Sequence, residues 1–269
     1  MAIASLHSAS TALNALSTAL DVTAHNLANI NTDGFKGSRV NFQDLLYEER
    51  AQPGVENLNG DQRPIGLYVG HGVRVSGTHL DFSQGPAQVT ERPLDVMIEG
   101  PGFFQVQVED DLGGGLAYTR AGNFTLNSDG ELVMANDDGR RLDPGVTVPQ
   151  EATGIAILPD GTVQVDLPGD TEPSEIGNIE LASFINPAGL QQVGDNLYIP
   201  SAASGPAQLG TPTEGDRGRL TQGFLEGSNV DPVIELVSLI KTQRAFEINS
   251  QSIQAADEVL QNVGRLRSF

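Results

Sequence analysis

Apolar residues recur every seven positions at both ends of this chain. They are Leu6, Leu13, Leu20 and Leu27 near the start, and Leu239, Phe246, Ile253 and Leu260 near the finish. This spacing places side chains on one stripe of a helix, where a partner helix can bury them. The sequence therefore predicts two long terminal helices on either side of a glycine-punctuated, acidic middle.

The N-terminal pattern predicts a helix over residues 3–30, about 42 Å long. Its apolar stripe consists of Leu6, Ala9, Leu13, Leu16, Leu20, Ala24, Leu27 and Ile30. No charged side chain precedes Asp21, with histidine counted as neutral, and Ala, Ser and Thr fill the other faces. A helix that faces water normally carries Lys, Glu or Arg there. The composition therefore predicts neighbouring helices that approach closely.

The C-terminal pattern predicts a helix that begins at Pro232 and runs to about Leu266. Asp231 is a good N-cap, and proline suits the first helical position. One apolar stripe is Leu239, Phe246, Ile253, Ala256, Leu260 and Val263; a second is Val237, Ile240, Ile248, Ala255 and Val259. Two stripes suit a helix with more than one neighbour. The pattern leaves two arrangements open: an antiparallel pair that closes one domain, and a bundle between molecules.

The middle of the chain predicts an antiparallel β domain, so the expected fold class is α+β. Residues 48–66 lack periodicity and read as a polar loop or extended arm. From about Leu67 onward, short apolar runs are broken every 8–12 residues by Asp-Gly and Asn-rich turns. This pattern indicates a sandwich or a barrel.

Charge and composition exclude several classes of function. The net charge of −20 argues against binding to nucleic acid or to an anionic membrane surface. The chain has no cysteine, which excludes disulfides and thiolate metal sites. The polar N-terminal residues do not form a Sec-type signal or a membrane span.

The sequence predicts no enzyme, no metal site and no cofactor. His7, His25, His71 and His79 lack ligand spacing, and the Asp-Gly turns before Gly130 and Gly139 do not match a calcium loop. Asp95 and Glu99 are a possible acid pair, but such pairs are common by chance in a chain with 35 acidic residues. A secreted β-rich hydrolase or carbohydrate-binding module is kept as an alternative that needs such a pair in a cleft.

Motifs along the whole chain resemble those of the bacterial flagellar rod and hook protein family. The motifs are Asn26-Leu27-Ala28-Asn29-Ile30-Asn31-Thr32-Asp33-Gly34-Phe35-Lys36, Pro93-Leu94-Asp95-Val96, Gly100-Pro101-Gly102-Phe103-Phe104, Tyr118-Thr119-Arg120, Phe184-Ile185-Asn186-Pro187-Ala188-Gly189-Leu190, Gln222-Gly223-Phe224-Leu225-Glu226-Gly227-Ser228-Asn229-Val230 and Thr242-Gln243-Arg244-Ala245-Phe246-Glu247. Residues 47–64 lie where distal rod subunits carry an insertion relative to the hook protein. Within the family the resemblance is therefore closest to subunits of the distal rod.

The resemblance implies three parts with different roles. Residues 1–46 together with 222–269 would form an inner coiled-coil domain (D0) of a helical tube. Residues 47–69 would be a rod-specific connecting segment, and residues 70–221 an outer β-rich domain (D1). The expected function is a rigid tube that transmits torque from the motor to the hook, with a proximal rod subunit or a hook subunit as the alternatives.

The resemblance also implies particular residues for these roles. The expected polymer interface is Leu6, Leu13, Leu16, Leu20, Leu27, Leu239, Phe246, Ile253 and Leu260. The family motif is carried by Asn26, Leu27, Asn29, Asn31, Thr32, Gly34 and Phe35. The rod-specific segment is marked by Gln52, Pro53, Gly54 and Pro64.

The partners implied by the resemblance are other flagellar proteins. They are further copies of this chain, the proximal rod and hook proteins, the periplasmic and outer-membrane ring proteins, and the flagellar type III export apparatus. The expected location is the flagellar basal body, from the periplasm to the outer membrane, reached without a cleaved Sec signal.

Overall fold

The computed structural model describes residues 2–56, 62–110, 112–169 and 172–266. The chain forms two compact units, each made of separate stretches of sequence. The helical unit comprises Met1–Ala28, Ser38–His79 and Asp231–Phe269, and the β-rich unit comprises Asn29–Gly37 and Leu80–Val230. The fold class is α+β, as predicted.

Two long helices dominate the helical unit. Helix α1 spans Ala2–Ala28 and helix α2 spans Pro232–Leu266, and the two pack along each other. Asp231 caps α2 as predicted, because its Oδ1 accepts hydrogen bonds from the main-chain N–H groups of Val233 and Ile234 at 2.8 and 3.2 Å. Helix α1 ends two residues before the predicted Ile30, since the next residues form a turn.

Four strands follow α1 and also belong mainly to the helical unit. Their bounds are β1 Ser38–Asp44, β2 Tyr47–Ala51, β3 Leu67–Gly70 and β4 Val73–Leu80. Strand β1 pairs with β4, and β2 pairs with β3 in antiparallel register from Tyr47–Gly70 to Ala51–Leu67. The predicted loop at 48–66 therefore begins inside a strand.

The β-rich unit contains sixteen strands in its described residues. They are β5 Ala87–Val89, β6 Val96–Glu99, β7 Phe103–Gln107, β8 Leu116–Thr119, β9 Phe124–Leu126, β10 Leu132–Met134, β11 Leu142–Asp143, β12 Gly154–Ile157, β13 Thr162–Asp166, β14 Ser174–Asn178, β15 Leu181–Ser183, β16 Gln191–Gly194, β17 Leu197–Ile199, β18 Gln208–Gly210, β19 Arg219–Gln222 and β20 Phe224–Glu226. The largest sheet has the order β16-β17-β8-β7-β15-β18, with β11 also on β7. Smaller sheets are β12-β13-β14, β9-β10, β6-β19 and β5-β20.

The turns between neighbouring strands match the sequence prediction. Residues 127–130 join β9 to β10, where Asn127 Oδ1 accepts from the main-chain N–H of Asp129 at 2.9 Å. Gly130 has φ +80°, and a Cβ there would lie 2.3 Å from the main-chain oxygen of Val148. Glycine therefore fits this turn for two reasons, its backbone conformation and its lack of a side chain.

Two buried clusters form the core of the β-rich unit. The larger contains Phe104 and Phe124, whose rings meet edge to face at 5.1 Å, together with aliphatic residues from several sheets. The smaller is aromatic and includes Phe103, Tyr118 and Tyr198. Edge-to-face contacts of this kind add to the stability gained by burial.

Candidate functional site

Lys36, the last residue of the N-terminal motif, is fully buried in the β-rich unit. Its Nζ donates to Glu226 Oε1 at 2.6 Å and to the main-chain oxygen of Ser83 at 2.6 Å. Burial lowers the pKa of the Lys36 ammonium, and the neighbouring Glu226 carboxylate opposes that shift. A lysine in this position needs a fixed anionic partner, because an unpaired buried charge is costly.

Glu226 belongs to the C-terminal motif and contacts several partners through hydrogen bonds and an ion pair. Its Oε1 also accepts from the main-chain N–H of Gly85 at 2.9 Å, and its Oε2 lies 3.5 Å from Arg120 Nη1. Its main-chain oxygen accepts from Gly34 N–H at 2.6 Å. Burial lowers the pKa of the Arg120 guanidinium, again opposed by the Glu226 carboxylate. One buried carboxylate therefore lies between two cations from distant parts of the chain.

Asn229 makes a second connection between the same two motifs. Its Oδ1 accepts from the main-chain N–H of Gly37 at 2.8 Å, and its Nδ2 donates to the main-chain oxygens of Asp81 at 2.8 Å and Ser83 at 3.3 Å. We call Lys36, Arg120, Glu226 and Asn229 the clasp. The clasp holds the segment after α1 and the segment before α2 within the β-rich unit.

Gly34 allows the motif to pass close to the main chain of the β-rich unit. It has φ +70°, and a Cβ at this position would lie 2.6 Å from the main-chain nitrogen of Ala121. A side chain there would both strain the backbone and collide with it. The next residue, Phe35, is buried. These two motif residues therefore have packing roles.

Asn26 has a corresponding role inside the helical unit. It is 3% exposed, and its side chain bonds both main-chain groups of Ser38: Nδ2 donates to the oxygen at 2.7 Å and Oδ1 accepts from the N–H at 3.0 Å. Its Nδ2 also lies 3.1 Å from Glu235 Oε1 in the first turn of α2. Asn26 therefore connects the end of α1 to β1 and to α2.

The other motif residues form the turn that ends α1. Thr32 donates from its main chain to the oxygen of Asn29 at 3.2 Å, and from Oγ1 to Asn29 Oδ1 at 3.1 Å. Leu27 is half-buried and Asn31 is exposed. The motif thus combines a turn, a glycine contact and a buried lysine.

The residues predicted for the polymer interface keep accessible apolar surface within one chain. Leu6, Leu13, Leu16, Leu20 and Leu27 of α1 and Leu239 and Ile253 of α2 are half-buried. Phe246 and Leu260 are 37% and 39% exposed. The fully buried face of α1 is formed instead by Ala9, Ala15, Thr23 and Asn26.

The second predicted stripe of α2 is exposed in the single chain. Val237, Ile240, Ile248 and Val259 are 44%, 50%, 62% and 55% exposed. Of the described side chains of α2, none is buried. A helix with apolar residues on an open face is typical of an interaction surface.

The residues that mark the rod-specific segment all lie at the surface. All four lie in the connection between β2 and β3 and are exposed: Gln52, Pro53, Gly54 and Pro64. The main-chain N–H of Gly54 donates to the oxygen of Arg63 at 2.8 Å, which extends the pairing beyond the two strands. Residues 57–61 of this segment lie outside the described residues.

Asp95 and Glu99 do not share an environment. Asp95 is 1% exposed, and its Oδ1 lies 3.7 Å from Arg92 Nη1. Glu99 is at the surface and is paired with Arg219 at 2.7 Å. Among the described residues, no group of three or more His, Asp or Glu side chains is placed to hold a metal ion. None of the described helices is long and apolar enough to cross a membrane.

The sequence patterns identified none of the four clasp residues as site residues. Lys36, Arg120, Glu226 and Asn229 all occur in the quoted motifs but had no predicted role. Lys36 offered one usable signal: it is one of only two lysines in the chain, and it directly follows Gly34-Phe35. The burial of Lys36 could not be predicted, because the residues around it show neither the helical nor the strand periodicity from which a buried face is inferred.

Three family models match the chain. Residues 6–36 match "Flagella basal body rod protein", residues 97–165 match "Flagellar hook protein FlgE/F/G D1 domain", and residues 221–266 match "Flagellar basal body rod FlgEFG protein C-terminal". Similar curated proteins include the flagellar basal-body rod protein FlgG of Caulobacter vibrioides, 42% identical over 98% of this chain and 99% of that protein. The chain belongs to the flagellar basal-body rod protein family.

Further relatives agree with this assignment. FlgG of Buchnera aphidicola subsp. Schizaphis graminum is 42% identical over 98% of this chain and all of that protein, and FlgG of Bacillus subtilis is 38% identical over 98% of both. FlgF of Caulobacter vibrioides is 35% identical over 85% of this chain. The predicted resemblance to the distal rod subunit is confirmed: the chain is a structural subunit of the flagellar distal rod, in the basal body.

The matched regions place the clasp inside the family's own segments. The first model ends at Lys36, and the last one contains Glu226 and Asn229. The rod family's two terminal motifs therefore meet in this structure through side-chain contacts.

Proposed function

We propose that this rod subunit polymerises into a rigid helical tube that carries torque from the motor to the hook. The supporting observation is the exposed apolar stripe of α2, formed by Val237, Ile240, Ile248 and Val259. Each of these side chains is about half exposed, so removing the rest of one from water gains on the order of 1 kcal/mol. Helices of neighbouring copies cover the stripe in the tube.

The predicted interface residues take part in the same contact. Phe246 and Leu260 keep more than a third of their surface exposed, and the leucines of α1 are only half-buried, so each retains apolar area for a second neighbour. The contact is heterologous, since one face of α2 packs on a different face of the next copy. Heterologous contacts that do not close into a ring produce filaments.

In this proposal the tube has an inner helical layer and an outer β-rich layer. The inner layer (D0) uses residues 1–46 and 222–269, the connecting segment is 47–69, and the outer layer (D1) uses 70–221. The compact units of the chain divide it at other points: residues 29–37 and 222–230 pack within the β-rich unit, whereas residues 47–79 pack within the helical unit.

The proposed partners are the proteins at either end of the tube and around it. They are the proximal rod and hook proteins, the periplasmic and outer-membrane ring proteins, and the type III export apparatus that delivers the subunit without a cleaved Sec signal. The proposed tube runs from the periplasm to the outer membrane. Assembly with other flagellar components in the basal body follows from the family itself.

The test is polymerisation of the purified protein, followed by sedimentation and electron microscopy. We expect long straight tubes from the natural sequence and none from a chain carrying Ile240→Gln and Ile248→Gln. Both residues are at least half exposed, so the monomer should lose less than about 0.5 kcal/mol of stability per substitution. Gln254→Ala, on another exposed face of α2, is the control and should polymerise normally. Normal tubes from the double variant would contradict the proposal.

A further inference from the structure

A pocket of about 260 Å³ lies beside Arg120 in the β-rich unit. Its walls are mainly apolar and include Phe82, Phe103, Pro101 and Pro187. Phe82 and Phe103 belong to the aromatic cluster of the core, and their rings meet edge to face at 5.3 Å. The pocket therefore has closely packed aromatic walls and one buried cation.

Arg120 has fewer hydrogen bonds than its chemistry allows. It is 4% exposed, and among the described residues it donates one hydrogen bond, a long one of 3.5 Å to the main-chain oxygen of Ile98. Its Nε has no partner. A guanidinium carries five N–H donors in a planar fork, and a buried donor without an acceptor is costly. Arg120 lines the pocket, so an acceptor placed there could reach it.

The charges around Arg120 favour an anionic acceptor. Glu226 Oε1 is taken by Lys36 and Gly85, and Glu226 Oε2 lies 3.5 Å from Arg120 without a hydrogen bond. Arg120 therefore keeps unused donors, because the nearest carboxylate is hydrogen-bonded to Lys36 and Gly85 instead. A carboxylate in the pocket would offer the planar, two-oxygen geometry that arginine binds best.

We propose that this pocket binds a carboxylate carried on a short apolar stem, and that an acidic side chain of a second copy supplies it in the polymer. The stem contacts the aromatic walls, and the carboxylate contacts Arg120. The chain carries 35 acidic and 15 basic residues, so packed copies repel each other over most of their surface. The residues that line the pocket include one cation, Arg120, and no acidic side chain, so an acidic side chain of a neighbour is stabilised there. The second half of the proposal rests on the proposed polymer.

The pocket itself is tested on the full-length monomer. The chain has no tryptophan, so Phe82→Trp introduces a single tryptophan into the wall, whose fluorescence can be excited selectively. The probe is phenylacetate, and phenylacetamide is the uncharged ligand of the same shape. We expect saturable binding of phenylacetate at least about tenfold tighter than that of phenylacetamide, because charge-assisted hydrogen bonds are the stronger ones. Equal affinities, or no binding of either ligand, would overturn the carboxylate site.

Two variants in the Phe82→Trp background locate the effect. Arg120→Gln should abolish the preference for phenylacetate. Arg140→Gln, which removes a guanidinium paired with Asp138 and not among the pocket residues, should leave it unchanged. If Arg120→Gln does not fold, the Nε–H resonance of Arg120 in ¹⁵N-labelled natural protein decides. It should shift on titration with phenylacetate, and an unmoved resonance would overturn the site.

The source of the carboxylate is tested on the polymer. If a second copy fills the pocket, phenylacetate should no longer change the Trp fluorescence after assembly. A probe that binds monomer and polymer equally would overturn the second copy as the occupant and point to a free small acid. A chain that fails to assemble would contradict the proposed function, and the monomer titration would still decide the pocket.

Discussion

Lys36 shows how a single residue of a terminal motif can determine which segments pack together in the β-rich unit. Its ammonium is removed from water, which is unfavourable, and it is retained only because Glu226 and Ser83 accept its hydrogen bonds at 2.6 Å. Buried ion pairs contribute little net stability compared with apolar residues, but the loss of one partner leaves the other charge uncompensated. The pair therefore fixes which segments pack together.

Replacing Lys36 should destabilise the β-rich unit strongly. We expect Lys36→Met to lower the free energy of unfolding by about 3–5 kcal/mol, because it leaves the buried Glu226 carboxylate without its nearest cation. Chemical denaturation followed by circular dichroism measures the change. The chain supplies a matched control in its other lysine: Lys241 is exposed on α2, and Lys241→Met should stay within about 0.5 kcal/mol of the natural protein.

A double substitution separates the pair from simple packing. In Lys36→Met with Glu226→Gln, no uncompensated carboxylate remains, so the combined loss should be smaller than the sum of the two single losses. Strictly additive losses would show that Lys36 and Glu226 act independently, against the contact at 2.6 Å.

Tyr198 should make the β-rich unit sensitive to alkali. Burial raises the pKa of its hydroxyl from 10.0 to about 12. Above pH 10 the unfolded chain loses this proton while the folded one keeps it, so stability falls as the pH rises towards about 12. Tyr198→Phe should remove this part of the loss. Denaturation at pH 8 and at several values above 10 measures the difference; parallel curves for both proteins would contradict the assignment.

At the scale of elements, the two helices could be predicted because their signals are local. The Asp231-Pro232 start and the apolar periodicity gave α2 its observed bounds. The buried face of α1 could not be predicted in the same way. It is formed by small and polar residues such as Ala15 and Thr23, which are buried because they allow close approach and not because they are strongly apolar.

Asn26 is expected to control how α1 ends against α2. Asn26→Ala removes the bonds to Ser38 and to Glu235, and it leaves the two main-chain groups of Ser38 without these partners. The cost should be about 1–3 kcal/mol. Hydrogen exchange of Ser38 and of the first turn of α2 should speed up. Asn14→Ala, at an exposed position on the same helix, should change neither; equal effects from both variants would mean that Asn26 has no special role.

The β2–β3 pair shows where sequence patterns fail. Its residues have almost no buried face, so the alternation that identifies a half-buried strand is missing. Leu67 in β3 is 55% exposed, and Leu46 and Ile65, which lie just outside the two strands, are 85% and 77% exposed. The pair is held by main-chain hydrogen bonds between distant residues, which leave little trace in the sequence.

At the scale of the whole molecule, segments from both terminal regions pack in the β-rich unit: Asn29–Gly37 near the start and the stretch that ends at Val230 near the finish. Lys36 and Glu226 are 190 positions apart, and no periodicity could have paired them. The family resemblance implied boundaries at residues 46, 70 and 222 for the layers of the tube, and these stay a prediction. The compact β-rich unit of the single chain comprises Asn29–Gly37 and Leu80–Val230. Local turn and helix signals were readable from the sequence, but this long-range contact was not.

Two truncated chains should therefore behave differently. A chain of residues 29–230 keeps the clasp and should unfold cooperatively, with the β-type circular dichroism of the full protein. A chain of residues 38–230 lacks Lys36 and the Gly34 N–H bond to Glu226, and it should be less stable by at least about 3 kcal/mol. Thermal unfolding of both chains measures the difference. Equal stability would show that the motif does not hold the unit together.

The segment between β1 and β4 should determine how stiff the polymer is. Tyr47 pairs with Gly70, so the two ends of the segment are adjacent, and residues 47–70 can be replaced by Asn-Gly, which forms a tight turn between paired strands. This variant keeps α1, α2 and the clasp. We expect it to form tubes that are curved or more flexible, because the contacts made by the exposed surface of the β2–β3 pair are removed.

Electron microscopy of the tubes, with persistence length as the readout, tests this expectation. The control carries Glu48→Gln and Glu49→Gln, which keep the strand pair and its length while changing its charge, and its tubes should stay straight. Straight tubes from the Asn-Gly variant would reject the stiffening role. Curved tubes from the control would assign it to the two carboxylates. If the control forms straight tubes and the Asn-Gly variant forms curved ones, the rigidity comes from the folded segment, because the two chains share the same helices and the same clasp.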